Sequence, residues 1–389
     1  MSRMLYMAWR YVVYNKVKSA ILAVCLMLTA AFPFSAYLLI AQYGDSLTAR
    51  ARATPLVVGA KGNRFDLALK SLYFGSAPVD AIRMAEVESI RESGLAAPIP
   101  LHLRFSARGY PIVGTTLDYF EFRGLKVALG TGLHKLGQAV LGAEVAEELG
   151  IGPGDSLFSD QCSLYDISRT YPLKMRVVGV LARSDSPDDD AVFVDIKTAW
   201  IIEGITHGHQ DVVKTMDPSQ SLARTDEKVV TDASIVEYNE VTAENIGSFH
   251  THAEPGDLPL SAVIVVPRDR KSGTLIKARY QLSTKHSMLV PAEVVDELMG
   301  LVFKVKRFFD ANLVLITGST VLFLVLIVLL SRRIRRREME TLFKIGCGRS
   351  TALGLQAAEL AIVVVIGLGA AGVLATTVTM LAPRLVRWM

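Results

Sequence analysis

Residues 311–337 read ANLVLITGSTVLFLVLIVLLSRRIRRR, and this stretch is enough to assign a fold class to the 389-residue chain. Residues 311–330 carry no charge, and a helix needs about 20 apolar residues to cross a bilayer's hydrocarbon core. Two further windows of this kind are residues 19–42 and residues 357–382, in which Glu359 is the only charge. Because unpaired backbone groups are very costly in lipid, such runs predict membrane-spanning helices. We therefore predict an α-helical transmembrane protein with three spans.

Basic residues predict the orientation, because short cytoplasmic segments retain Lys and Arg. Four basic residues and no acid precede residue 19, and residues 331–356 hold seven basic residues against two acids. Both segments are predicted to be cytoplasmic, which places residues 43–310 outside, with 29 basic and 35 acidic residues. A cleaved signal peptide is the alternative for residues 1–42, but the apolar stretch exceeds the ~7–15 residues of a signal peptide.

The exterior part is predicted to have a mixed α+β fold. β-Branched runs bounded by Gly, Pro or Asp predict strands at 111–113, 175–180, 191–194 and 262–266. Helical patterns occupy 79–93 and 144–149, and residues 290–330 have no helix breaker after Pro291, which predicts one continuous helix. The predicted organisation is a cytoplasmic tail (1–18), a first span (19–42), an exterior domain (43–289), a stalk helix (290–310), a second span (311–330), a cytoplasmic loop (331–356), a third span (357–382) and an exterior tail (383–389).

The sequence lacks the motifs of several catalytic classes. It contains no G-x-x-x-x-G-K-[ST] and no G-x-S-x-G, so we expect no ATP-binding P-loop and no hydrolase nucleophile in this chain. A formal G-x-G-x-x-G at Gly367, Gly369 and Gly372 lies inside the third span, where small residues let helices pack closely. We predict a non-catalytic chain that binds no nucleic acid and no cofactor of its own. The one exception is a hypothesis of metal binding.

That hypothesis rests on two segments of the form H-x-H-x-[DE]. Side chains at i, i+2 and i+4 of an extended strand share one face, and nitrogen and oxygen ligands suit Zn²⁺ and similar divalent metals. The alternative is a pair of polar loops in solvent. The six candidate ligands are His207, His209, Asp211, His250, His252 and Glu254.

The cytoplasmic loop carries a family resemblance. Residues 336–349, RREMETLFKIGCGR, and 355–359, LQAAE, resemble the R-R-R-E-x-x-x-L-x-x-[IL]-G loop and following helix of FtsX-like ABC permeases, which include the MacB, LolC/LolE and FtsX proteins. Residues 57–62, VVGAKG, resemble a segment of certain permeases in that group. The exterior segments 113–120, 140–146, 150–155, 177–181 and 192–194 are similar, in order, to the MacB-type periplasmic core.

This resemblance implies the permease subunit of an ABC transporter in a bacterial inner membrane. A separate cytoplasmic ATPase, carrying ATP and Mg²⁺, would drive movements of the exterior domain for export or extraction of a substrate. Further implied partners are a second permease copy, identical or different, membrane lipid, and a periplasmic adaptor or substrate protein. The residues implied in ATPase coupling are Glu338, Leu342, Lys344, Ile345, Gly346 and Arg349.

Two alternatives and one departure accompany the resemblance. The chain could be an FtsX-like signalling subunit that regulates a cell-wall enzyme, or a membrane receptor for a metal or small ligand without an ATPase. Family members usually have four spans, whereas three are predicted here. We expect either a fourth helix that is naturally absent or a truncated sequence.

Overall fold

The computed structural model of the chain describes residues 3–160, 172–208, 221–225, 228–231, 238–251, 253–334, 344, 346 and 348–386. The chain divides into two compact units: Met1–Leu47 with Leu298–Met389, called the helical unit, and Thr48–Glu297, called the α/β unit. The helices are α1 (Arg3–Tyr14), α2 (Lys16–Arg52), α3 (Arg64–Tyr73), α4 (Met84–Glu92), α5 (Leu117–Arg123), α6 (Ala143–Leu149), α7 (Ile196–Ile202), α8 (Arg270–Gln281), α9 (Pro291–Ile334) and α10 (Arg349–Val386).

The strands belong to the α/β unit. They are β1 (Leu56–Ala60), β2 (Ile82–Arg83), β3 (Ala96–Ala107), β4 (Tyr110–Thr115), β5 (Val127–Gly130), β6 (Gln138–Leu141), β7 (Ser156–Phe158), β8 (Lys174–Leu181), β9 (Val192–Asp195), β10 (Thr206–Gly208), β11 (Ser221–Thr225), β12 (Lys228–Thr231), β13 (Phe249–Thr251), β14 (Pro259–Leu260), β15 (Ala262–Pro267) and β16 (His286–Leu289).

A ten-stranded sheet forms the centre of the α/β unit. Its order is β16-β1-β15-β3-β4-β9-β6-β8-β5, and β7 also pairs with β8. Most pairs are antiparallel, whereas β4 with β9 and β6 with β8 are parallel. The central strands are buried runs of Val, Ile and Leu, as expected for strands covered on both faces. Smaller ladders join β10 to β13, β11 to β12 and β2 to β14.

The strands and one helix predicted from sequence are confirmed, and one helix is partly wrong. Strands β4, β8 and β15 cover the predicted runs, β9 begins one residue later than predicted, at Val192, and α6 covers residues 144–149. The helix predicted for 79–93 begins only at Met84, because Ile82 and Arg83 pair with Leu260 and Pro259. Ile82 is 2% exposed. Burial against a distant strand therefore overrides the local helical pattern.

The helical unit contains long apolar helices. The windows Lys16–Leu39 and Ser350–Leu381 are long and apolar enough to cross a membrane, and α9 contains a shorter apolar stretch, Asp310–Leu322. The continuous helix predicted for residues 290–330 is confirmed by α9. Its division into a stalk and a second span stays a prediction, as does the count of three spans. Residues 3–14, predicted only as part of a tail, form α1.

A glycine of the third apolar window lies at a helix contact. A Cβ at Gly367 would lie 2.9 Å from the Cβ of Leu26 and 3.0 Å from the carbonyl oxygen of Ala23. Glycine there lets α10 approach α2 closely. Gly369 and Gly372 have no such neighbour within 4 Å among the described residues. Close helix packing therefore explains Gly367 but, among the described residues, does not explain Gly369 or Gly372.

Candidate functional site

The last turn of α2 is held in the α/β unit by a buried ion pair. Arg50 Nη1 donates to Asp188 Oδ2 at 2.6 Å, and Arg50 Nη2 donates to Asp188 Oδ1 at 3.0 Å. Arg50 Nη2 also donates to the Tyr119 hydroxyl at 3.0 Å, and that hydroxyl donates to Asp188 Oδ1 at 2.7 Å. Arg50 Nε donates to the Leu72 carbonyl. Arg50, Tyr119 and Asp188 are called the Arg50 cluster below.

The groups of the Arg50 cluster keep one ionisation pattern. Burial by itself would raise the pKa of Asp188, but the hydrogen bond and charge of Arg50 outweigh it and hold that pKa below its usual range. Burial, reinforced by the charge of Asp188, raises the pKa of the Tyr119 hydroxyl, which therefore stays protonated and can donate. The pair is thus a carboxylate and a guanidinium in bidentate contact, a strong form of hydrogen bonding.

A second arginine lies near this cluster. The guanidinium carbon of Arg123 is 5.7 Å from the ring centre of Tyr119 and 4.8 Å from that of Phe122, within the range of cation–π attraction. Burial lowers the pKa of Arg123. Its Nε and Nη2 atoms are buried and have no hydrogen-bond partner among the residues that the structure describes.

Asp188 is positioned by a capped turn at residues 187–190. The Ser186 hydroxyl accepts from the Asp188 amide, and the Asp189 carboxylate accepts from the Ser184 amide at 2.9 Å. Gly142 packs directly on this turn, because a Cβ there would lie 2.4 Å from the Asp188 carbonyl oxygen and 2.3 Å from that of Asp189. Hydrogen bonds around the turn and the close packing of Gly142 therefore fix its conformation.

The first turns of α9 provide a second anchor in the same unit. Val294 and Val295 are 3% and 2% exposed, and Val294 joins the apolar core around Leu289. Exposed ion pairs surround them: Arg64 Nη2 lies 2.7 Å from Glu297 Oε2, and Lys277 Nζ lies 3.5 Å from Glu293 Oε1. The second long helix is thus anchored by apolar burial with charges only at the surface.

Sequence reasoning identified neither anchor as functional. Arg50 follows the first apolar window by eight residues and resembles an ordinary flanking charge, and residues 186–190, SPDDD, have the composition of an ordinary acidic turn. One local signal is the run of three acids after Pro187. The partner of such an acid, 138 residues away, has no local signature.

The residues predicted to couple to an ATPase lie partly outside the described residues. This applies to Glu338, Leu342 and Ile345. Lys344 and Gly346 are exposed, Gly346 has φ +90°, a region that favours glycine, and Arg349 begins α10. The coupling role of the whole set stays a prediction.

The two histidine segments meet in the α/β unit. β10 and β13 pair antiparallel, with His207 opposite His250 and ring centroids 4.9 Å apart. Glu254 is exposed at the start of the turn 255–257, and His209, Asp211 and His252 lie outside the described residues. Among the residues that are described, no group of three or more His, Cys, Asp or Glu side chains could hold a metal. The structure thus brings together one histidine from each segment.

The helical unit also contains an apolar cavity of about 670 Å³. It is lined by residues of α2, α9 and α10, among them Pro33, Phe34, Asp310, Leu368 and Gly372. Its lining is mostly aliphatic and aromatic, which suits an apolar occupant such as a lipid chain.

Comparison with known proteins identifies the domain. The model of the MacB-like periplasmic core domain matches residues 21–233. The chain is similar to the periplasmic region of MacB from Actinobacillus actinomycetemcomitans, at 10% identity over 64% of this chain and 94% of that chain, with a TM-score of 0.35. It is also similar to the extracellular domain of the noncanonic ABC-type transporter YknZ from Gram-positive bacteria, at 10% identity over 60% of this chain and 98% of that chain, with a TM-score of 0.32. No curated protein matches it.

Proposed function

This chain belongs to the family of proteins with a MacB-like periplasmic core domain, and on that premise we propose that it is the permease subunit of an ABC transporter. Components of this kind are non-catalytic transport subunits that work with a cytoplasmic ATPase. Two copies, or one copy and a related permease, would pair with two ATPase subunits in the inner membrane. ATP hydrolysis would move the α/β unit for export or extraction of a substrate.

The observation that carries this proposal is the anchoring of two long helices in the α/β unit. The last turn of α2 carries Arg50 of the Arg50 cluster, and the first turns of α9 carry the buried Val294 and Val295. With a rise of 1.5 Å per residue, the 44 residues of α9 are roughly 66 Å long, about twice the thickness of a hydrocarbon core. A helix anchored so firmly at one end can transmit a displacement applied at the other.

The displacement would enter at the cytoplasmic loop. In this proposal Leu342, Ile345 and Gly346 fit into a groove of the ATPase, and Lys344 and Arg349 contact acidic residues beside that groove. A partner shifts a conformational equilibrium only by its different affinity for the two states. The loop must therefore make different contacts with the open and closed forms of the ATPase.

Charge reversal in the loop tests the proposal. The full-length chain is purified from membranes of its native host, and P-loop ATPases that co-purify are identified by mass spectrometry. We expect one such ATPase to co-purify with the wild type. The amount that co-purifies with K344E/R349E should be at least ten-fold lower, because both contacts with acidic groups become repulsive.

A matched control is K16E/K18E, which makes the same change of charge in the N-terminal segment predicted to lie on the same side. That variant is expected to retain the ATPase. If K344E/R349E also retains it at the wild-type level, the coupling role of the loop is wrong. If wild type retains no ATPase, the transporter proposal fails and the receptor reading becomes the better one.

A further inference from the structure

The pairing of β10 with β13 suggests a function for the histidines that the transporter proposal does not use. We infer that His207 and His250 form a two-histidine site for a divalent metal ion of the zinc class, with solvent or further groups completing the coordination. The inference is independent of the proposed function, because it depends only on the α/β unit.

The spacing of the two rings fits a shared metal. His207 and His250 are direct cross-strand partners, and their ring centroids are 4.9 Å apart. Two imidazoles on one tetrahedral Zn²⁺, each with a Zn–N distance of about 2.0–2.1 Å, have ring centroids roughly 5 Å apart. The register therefore sets the two ring centroids at a separation that fits a shared tetrahedral Zn²⁺.

One ring is also oriented as in metal-binding histidines. His250 Nδ1 lies 2.9 Å from the carbonyl oxygen of Ser248. Because a carbonyl oxygen only accepts, Nδ1 donates this hydrogen bond. A hydrogen bond from the second ring nitrogen to a backbone carbonyl is the usual support of a histidine ligand, since it fixes the tautomer and the ring orientation.

The backbone around the pair is held in place. The Thr206 and Thr251 hydroxyl oxygens lie 2.7 Å apart across the ladder, and the Tyr238 amide donates to the Gly208 carbonyl at 2.9 Å. A Cβ at Gly208 would lie 2.8 Å from the ring of Phe249, so glycine lets that ring cover the strand. Both histidines are half-buried, which leaves them accessible to an ion while limiting their freedom.

A competing explanation is that the two rings only pack against each other, as cross-strand aromatic pairs do. The double substitution H207F/H250F distinguishes metal binding from ring packing, because it keeps a pair of rings on the ladder and removes every ligand nitrogen. H207A/H250A removes both rings and ligands. H134A/H286A is a matched control that deletes two other histidines of the α/β unit.

The experiment is a Zn²⁺ titration of the full-length chain in detergent, purified without a histidine tag, by calorimetry. The same samples are loaded with Co²⁺, whose absorption spectrum reports nitrogen ligands. We expect wild type to bind one Zn²⁺ and to give an imidazole-type Co²⁺ spectrum. H207A/H250A and H207F/H250F are each expected to lose at least ten-fold in affinity, with H134A/H286A unchanged.

Three results would overturn the inference. They are the absence of Zn²⁺ binding by wild type, wild-type affinity in H207F/H250F, and an equal loss in H134A/H286A, which would place the metal on other histidines. The circular dichroism of each metal-free variant is recorded first. A variant that loses its fold is replaced by the corresponding single substitution at position 207.

Discussion

The two anchors of the α/β unit hold long helices by opposite physical means. The last turn of α2 carries Arg50, whose side chain is 7% exposed and is paired with an Asp188 side chain that is 2% exposed. The first turns of α9 carry two buried valines, and the ion pair between Arg64 and Glu297 joins side chains that are 57% and 46% exposed. One anchor is a buried charge pair, and the other is an apolar contact edged with surface charges.

This difference determines how each anchor responds to change. Removing one partner of a buried ion pair leaves an uncompensated charge without water, whereas exposed pairs contribute little and are screened by salt. A buried pair also has a single good geometry, because both its hydrogen bonds and those to Tyr119 must be satisfied together. The geometry of the Arg50 anchor is therefore more strictly defined, whereas the α9 anchor is more tolerant of changes in geometry.

The largest expected effect is that of D188A. The substitution leaves Arg50 buried and unpaired, and breaking such a pair costs about 3–5 kcal/mol in the free energy of unfolding. Trp200 is the only tryptophan in residues 48–297 and is buried, so its fluorescence in a W9F/W388F background reports denaturation of the α/β unit.

The control is D185N, in the same loop but exposed, which we expect to change stability by less than about 0.5 kcal/mol. R50A/D188A should lose less than the sum of the single variants, since the two residues interact directly. Additive losses in the free energy of unfolding would mean that the interaction between Arg50 and Asp188 does not stabilise the unit. The contrast between the two anchors would then disappear.

Lowering the pH is expected to remove the stabilisation provided by ionised Asp188 without deleting side-chain atoms. The pKa of Asp188 is lowered in the folded state, so its stabilising effect is full above the unfolded carboxyl value of about 3.9 and is lost as the pH falls through the folded value. The advantage of wild type over D188N should be constant near pH 7 and shrink below about pH 4. A difference that grew on acidification would contradict the assigned charge state.

A smaller effect is expected at the α9 anchor. V294A removes two methyl groups from a buried position and should destabilise the α/β unit by roughly 2 kcal/mol, including the cavity that remains. The same fluorescence measurement applies, and V302A, at an exposed position of α9, should leave the unit unchanged. Equal effects of both variants would show that the apolar contact at Val294 has no special role.

The smallest effect is expected from the surface charges of that anchor. E297Q removes the partner of Arg64, and an exposed pair of this kind contributes at most about 1 kcal/mol. That small loss should vanish in high salt, where exposed charges are screened. A salt-independent loss as large as that of D188A would show that the two anchors do not differ in kind.

Local patterns account for the part of the fold that sequence predicted. The β-branched runs of β4, β8, β9 and β15, and the unbroken apolar helices, follow from side-chain periodicity and length. The order of the sheet does not, because strand pairing depends on which buried surfaces fit together. Ile82 shows this, since its local sequence is helical while its partner, Leu260, lies far along the chain.

In the candidate site, too, some features follow from the sequence and others only from the tertiary structure. Sequence alone determined that the chain has membrane-length apolar helices, an acidic region between them, a basic segment resembling a coupling loop and two histidine motifs, because composition, length and spacing are local properties. The tertiary structure was needed to join Arg50 to Asp188 across 138 residues and His207 to His250 across a strand ladder. Such contacts depend on the packing of distant segments, and no local pattern records which partner a buried charge or an edge histidine will meet.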